Sequence, residues 1–180
     1  MVRKLYWLIG FPHIFSYCFY HGRIKEIDED LVRYTNGTIG TRAFVSQLFR
    51  KEYRTIFYYR LPVILAVLLN LILRKMENCD IHCSIMGGVK IVHGFSSVLS
   101  AQSIGSNFEF YQNVTIGWGR EGNPTIGDNV SVYAGAVVAG KIRIGNNVKI
   151  SANSFVREDV PDNTLVYGNP AQFKPLPDIL

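Results

Sequence analysis

Aliphatic residues recur every six positions through the second half of the chain, and that period constrains the fold more than any other property of the sequence. Ile85 and Ile91 start the series; Val98, Ile104, Phe110 and Ile116 continue it; Ile126, Val132, Val138, Ile144, Ile150 and Val156 complete it. The register slips by one residue between Ile91 and Val98 and by four between Ile116 and Ile126, and each slip marks an inserted loop. A helix needs a period of about 3.6 and an ordinary strand a period of about two, so neither sustains this pattern. In the last block the residue four places on is also small or aliphatic, as at Val130, Ala136, Ile142, Val148, Ser154 and Val160. Turn residues stand beside it in Ile126-Gly127-Asp128-Asn129 and Ile144-Gly145-Asn146-Asn147. The pattern predicts very short strands joined by tight turns, with Gly and Asn in the left-handed conformation at the corners. Three such units make one triangular coil, so the twelve positions predict about four coils of a parallel β-helix.

The part before the repeat reads as a small helical region. Ala43 to Phe49 and Leu61 to Leu73 are rich in helix formers, and the second run ends in Arg74-Lys75, as a helix C-terminus prefers. The Leu-rich run is too short for a bilayer span of roughly 20 residues, so it predicts a buried or membrane-surface helix. Asp28-Glu29-Asp30 suits the first turn of a helix and Asn36-Gly37 a turn. The chain thus divides into helices over 1–78, the β-helix over 79–165 and a tail over 166–180.

Charge follows the same division. Residues 1–78 hold 12 Lys/Arg against 6 Asp/Glu, whereas residues 79–180 hold 7 against 8. Fourteen of the 23 aromatic residues lie in the first part as well. A basic, aromatic segment fits a helical core and its rim, or peripheral contact with an anionic membrane. The near-neutral repeat carries no nucleic-acid module, so no nucleic-acid partner is expected. Nothing at the start reads as a cleavable signal peptide, and three cysteines do not make a secreted disulfide framework; both point to the cytoplasm, with the inner face of the membrane as a further possibility.

The candidates for chemistry are few. Of four histidines only His93 lies within the repeat, at the third position of Ile91-Val92-His93-Gly94 beside a register slip, where a side chain is aimed outward. Asp80, just upstream, is placed to orient an imidazole on the next coil, and a His held by a carboxylate is a general base for a hydroxyl. No nucleophile elbow and no P-loop is present, which favours direct attack by an acceptor over a covalent enzyme intermediate. Cys79-x-x-His82-Cys83 raises zinc, but it lacks the paired spacing of structural zinc motifs, so no metal is expected.

With these residues in place, the chain resembles the serine acetyltransferase branch of the hexapeptide-repeat acyltransferases. The resemblance rests on Asp80-Ile81-His82, Ile91-Val92-His93-Gly94, Asn113-Val114-Thr115-Ile116-Gly117, Ala134-Gly135-Ala136 and the closing Gly168-Asn169-Pro170-Ala171, and covers residues from about 79 to 173. It implies a left-handed parallel β-helix that forms homotrimers with active sites between subunits. It implies acetyl-CoA as co-substrate, with His93 as catalytic base and Asp80 as its partner. Gly117, Trp118, Ala134 and Ala152 fall on the family's acetyl-CoA channel, and Lys149 and Lys174 are the candidates for its phosphates. Asp80 stands two residues closer to the histidine than the family spacing, and Gln172 replaces the Lys that normally follows the closing element.

The four-residue slip after Ile116 creates the loop Trp118-Gly119-Arg120-Glu121-Gly122-Asn123-Pro124. In serine acetyltransferases the corresponding loop carries an Arg-His pair before the Pro; here Gly122-Asn123 stands there. Arg120 and Asn123 are the acceptor candidates, and without that second histidine they suit a sugar hydroxyl through hydrogen bonds better than a carboxylate. The expectation is therefore acetyl transfer to a sugar of a surface polysaccharide or its precursor. The alternatives are serine as acceptor, and a trimeric β-helix scaffold without catalysis.

Overall fold

The computed structural model describes the backbone of residues 2–117, 119 and 121–176 and the side chains from residue 9 onward. The chain divides into two compact units, Met1–Met76 and Glu77–Leu180.

The first unit is five helices: α1 (Val2–Tyr20), α2 (Lys25–Thr35), α3 (Thr41–Leu48), α4 (Lys51–Arg60) and α5 (Val63–Ile72). Of Asp28-Glu29-Asp30 only Asp28 lies in the first turn of α2, because the helix starts at Lys25 and Glu26 is the other acid there; Asn36 ends that helix in the left-handed conformation with φ 52°. The core gathers Tyr17, Ile27, Leu31, Phe44, Leu48, Tyr53, Phe57 and Leu69. Tyr17 stacks on Phe44 at 4.4 Å, and Phe57 meets Phe44 edge-on at 4.9 Å. Part of the basic surplus is used inside. The side chains of Arg60 and Asp30 are 6% and 1% exposed and bonded at 2.8 Å, while Arg54 donates to Leu48 O at 2.6 Å and to Arg74 O at 2.8 Å, tying α3 to the segment after α5. His13 is also buried, its Nε2 2.7 Å from the Tyr58 hydroxyl.

The second unit is a three-sided parallel β-helix. Its first coil is β1 (Cys79–Ile81), β2 (Ser84–Ile85) and β3 (Lys90–Ile91); the second is β4 (Ser97–Leu99), β5 (Ser103–Ile104) and β6 (Glu109–Phe110). The third is β7 (Thr115–Gly117), β8 (Thr125–Ile126) and β9 (Ser131–Val132), and the fourth β10 (Val137–Ala139), β11 (Arg143–Ile144) and β12 (Lys149–Ile150). Then β13 (Phe155–Val156), β14 (Thr164–Tyr167) and β15 (Gln172–Pro175) close the series. Face A is the sheet β1-β4-β7-β10-β13, face B is β11-β8-β5-β2, and face C is β15-β14-β12-β9-β6-β3. Among the described strands only the β14–β15 pair is antiparallel.

The six-residue period holds because its aliphatic members point inward: Ile85, Ile91, Ile104, Phe110, Ile116, Ile126, Val132, Val138, Ile144, Ile150 and Val156 are all buried. Val98 breaks the expectation. It is 41% exposed, whereas Leu99 is fully buried and pairs with Ile116. The single apparent slip after Ile91 is in fact two opposed changes: two residues are inserted before β4 and one is dropped between Leu99 and Ile104.

The corners between faces B and C stack asparagines in the left-handed conformation, Asn107, Asn129, Asn147 and Asn163, with φ between 54° and 58°. Asn pays little for that conformation because its short amide bonds locally. Here each amide also bonds to the next coil: Asn107 Nδ2 donates to Asn129 Oδ1 at 3.0 Å, Asn129 to Asn147 at 3.1 Å and Asn147 to Asn163 at 3.0 Å. Beside this ladder the Asp162 carboxylate accepts the Asn146 backbone N–H at 2.7 Å, which holds its pKa below the usual carboxylate value.

Candidate active site

The edge joining face C to face A carries the histidine. In a regular coil this corner holds a residue whose carbonyl accepts from the left-handed residue one coil on, as Gln112 O does from Gly135 N at 3.0 Å and Ala134 O from Asn153 N at 2.9 Å. Phe95 fills that role at the end of the first coil, accepting from Asn113 N at 3.0 Å. His93 and Gly94 are the two extra residues. Gly94 is buried, and a Cβ there would stand 2.4 Å from Ile91 Cγ2 and 3.0 Å from Phe110 Cε2, so no side chain fits. Glycine turned inward leaves His93 outside, exposed and with φ 58°. Ser97 Oγ braces the corner, donating to Tyr111 O and accepting from Val114 N, each at 3.1 Å.

Asp80 lies on the outward side of β1, paired in register with Val98 and exposed. Among the described residues no hydrogen bond or ion pair joins Asp80 to His93. Ala134 and Ala152 occupy the same C-to-A corner as Gln112, in the third and fourth coils, so His93, Gln112 and both alanines follow one another along one edge, one coil or about 4.8 Å apart. Lys149 and Lys174 sit on face C, on either side of Leu165. The Lys174 ammonium also lies 5.4 Å from the centre of the Tyr167 ring.

Gly117 and the inserted loop lie elsewhere. Gly117 ends β7 at the edge joining face A to face B, across the full width of face A from the alanines. The loop folds back on itself through Gly119 and Gly122, whose backbones pair with N–H to oxygen distances of 3.1 and 3.4 Å. Asn123 follows, half-buried, while Trp118 and Arg120 lie outside the described residues. The A-to-B edge also holds His82, exposed, between a buried Cys79 and a half-buried Cys83 whose thiol pKa burial raises. No group of three or more His, Cys, Asp or Glu among the described residues is placed to hold a metal ion.

One chain therefore brings His93, Ala134 and Ala152 to one edge, with the two lysines on the adjoining face C, and Gly117 with the loop to the other edge. Sequence reasoning missed Gly94 and Ser97, the residues that hold His93 outward. The sequence signal for Gly94 was present in the insertion itself, since only a residue without a side chain packs where the chain doubles inward.

Residues 123–158 match the family described as bacterial transferase hexapeptide (six repeats). The serine acetyltransferase of Synechococcus elongatus is 39% identical over 124 residues, which are 65% of this chain and 50% of that protein. This is a hexapeptide-repeat chain with serine acetyltransferase relatives. Among solved structures, serine acetyltransferase of Neisseria gonorrhoeae in complex with serine superposes with a TM-score of 0.68 at 28% identity, over 90% of this chain and 73% of that one. A serine acetyltransferase in complex with CoA gives 0.55 at 25% identity, over 82% and 67%. The chain spans between 49% and 62% of the length of the first curated relatives it matches.

These relatives overturn the expectation of a polysaccharide acceptor. That expectation weighed the absent loop histidine and the short helical region above the sequence as a whole, and 39% identity over 124 residues to a serine acetyltransferase favours serine instead. A single loop of seven residues, two of them outside the described set, is a weaker basis for the acceptor than similarity through most of the chain.

Proposed function

We propose that the protein transfers an acetyl group from acetyl-CoA to the hydroxyl of serine, with His93 as general base. The observation that carries this reading is the two-residue insertion that presents His93 on the C-to-A edge in line with Ala134 and Ala152. The site residues fit an acetyl-CoA arm. Ala134 and Ala152 keep the edge shallow, and a Cβ added at Gly117 would meet no atom within 4 Å. Lys149 and Lys174 supply positive charge for phosphates on face C, which adjoins that edge. Acetyl-CoA supplies the activated acyl group. His93 takes the proton of the acceptor hydroxyl as its oxygen bonds to the acetyl carbon, then returns it to the sulfur as the carbon–sulfur bond breaks. Arg120 is the candidate for the serine carboxylate, and Asn123 for its polar groups.

In this reading the protein acts as a homotrimer. Setting the C-to-A edge of one copy against the A-to-B edge of the next joins the two groups of site residues that a single chain keeps apart. Such packing covers face A, whose outward row Val98, Thr115, Val137 and Phe155 is mostly apolar. Asp80 belongs to that row, and its pairing with His93 is the part of the reading that rests on the family resemblance.

Release of free CoA from acetyl-CoA in the presence of L-serine, with O-acetylserine identified by mass spectrometry, tests the function. His93→Ala is expected to lower turnover about 10²–10⁴-fold without changing the melting temperature. Turnover close to wild type in that variant overturns the assignment of the base, and no acetylation of serine by the wild type overturns the acceptor.

A further inference from the structure

Helix α5 is apolar on the wrong side for a helix at the surface. Leu65, Ala66, Leu69 and Leu73 face the helical core, and an amphipathic helix carries polar residues opposite. Opposite these stand Val63, Ile64, Val67, Leu68, Leu71 and Ile72, between 47% and 78% exposed, on a helix with no charged residue. Single exposed aliphatics are ordinary on a protein surface, but six contiguous ones on one face are not. The charge around them is equally one-sided. Arg74 and Lys75, which directly follow α5, are exposed, as are Arg23, Lys25, Arg42, Arg50 and Lys51, while Asp30 is buried, Glu26, Asp28 and Glu52 are half-buried and Glu29 is paired with Lys25 at 3.5 Å. Ten residues of helix span about 15 Å, half the hydrocarbon thickness of a bilayer, and no described helix is long and apolar enough to cross a membrane.

We propose that this face of α5 docks on an anionic lipid bilayer, the helix lying in the plane of the interface with its aliphatic side in the acyl boundary and the basic side chains among the headgroups. Charge decides between the occupants. A second copy of this unit brings the same positive surface and repels, since residues 1–78 carry 12 Lys/Arg against 6 Asp/Glu, whereas anionic headgroups attract it. The proposal is independent of the acceptor and of the active site.

The test sediments the full chain with vesicles of phosphatidylcholine alone and of phosphatidylcholine mixed with phosphatidylglycerol. Binding to the mixed vesicles that weakens with added salt is expected. The double variant Ile64→Gln/Leu71→Gln is expected to bind at least about tenfold more weakly, and Lys75→Gln up to about fivefold more weakly to the mixed vesicles only. Unchanged melting temperatures report that both variants fold. Absence of wild-type binding to the mixed vesicles, or equal binding by the double variant, overturns the proposal. So does a smaller oligomer for the double variant in analytical ultracentrifugation without vesicle binding by the wild type, which assigns the face to a second copy.

Discussion

Replacing Asn129 separates the two contributions that hold the B-to-C corners in place. Its amide accepts from Asn107 at 3.0 Å and donates to Asn147 at 3.1 Å, and its backbone has φ 56°. Both Asn129→Ala and Asn129→Gly remove the two amide bonds. The position is exposed, so water takes over the stranded partners, and the loss is near the low end of the range, about 1 kcal/mol for the pair. Alanine additionally costs about 1–2 kcal/mol in the left-handed conformation. Glycine avoids that cost but brings roughly 0.4–1 kcal/mol of extra unfolded-state freedom. The alanine variant is therefore expected to be less stable than the glycine variant by about 1 kcal/mol, or about 2–4 °C in melting temperature for a chain of this size. Thermal unfolding followed by circular dichroism, at one protein concentration, measures the difference. Equal melting temperatures for the two variants would refute the argument that backbone handedness, beyond the amide ladder, selects Asn at these corners.

Two further outcomes follow from other parts of the molecule. Gly117→Ala places a methyl group in open space, so stability is expected to hold while the KM for acetyl-CoA rises about 10-fold or more if the arm lies there, as steady-state kinetics would read. Burial, with a smaller contribution from the Arg54 charge, lowers the pKa of His13 and outweighs the carbonyls of Leu69 and Ile9. The unfolded chain then takes up a proton near pH 6.5 that the folded one refuses, so stability falls as the pH drops below about 6.5; melting temperatures recorded from pH 7.5 to 5 should fall, and fall less in His13→Gln.

How far the fold could be read from the sequence depended on where each residue points. The coils were legible because a three-sided solenoid gives every sixth residue the same inward environment, and Ile104, Phe110 and Ile116 declare it by being apolar. Register around β4 was not legible. Two residues gained at His93-Gly94 and one lost before Ile104 sum to a slip of one, and adjacent Val98 and Leu99 are both aliphatic, so composition favours neither as the inward residue. The helical part was readable at α3 and α5, where helix formers run together, and much less so at α1, where Pro12 lies inside the helix. His93 stood out as the histidine beside a register slip, although His82 also lies in a coil, at the corner between β1 and β2. The division of the candidate site between two edges did not, because a linear sequence does not show which corners share an edge until the strands are stacked.

The reversal at β15 has a consequence for how the β-helix ends. Every other neighbouring pair runs parallel, so each coil offers the next a ready template of backbone donors and acceptors, and a solenoid left open this way invites further strands to add. Gln172–Pro175 runs antiparallel along β14 from Thr164 to Tyr167 and occupies that edge of face C, and Pro175 presents no backbone N–H. A strand added beside β15 would meet a reversed neighbour instead of the parallel register that the coils repeat, so on this face the coil-on-coil template does not continue.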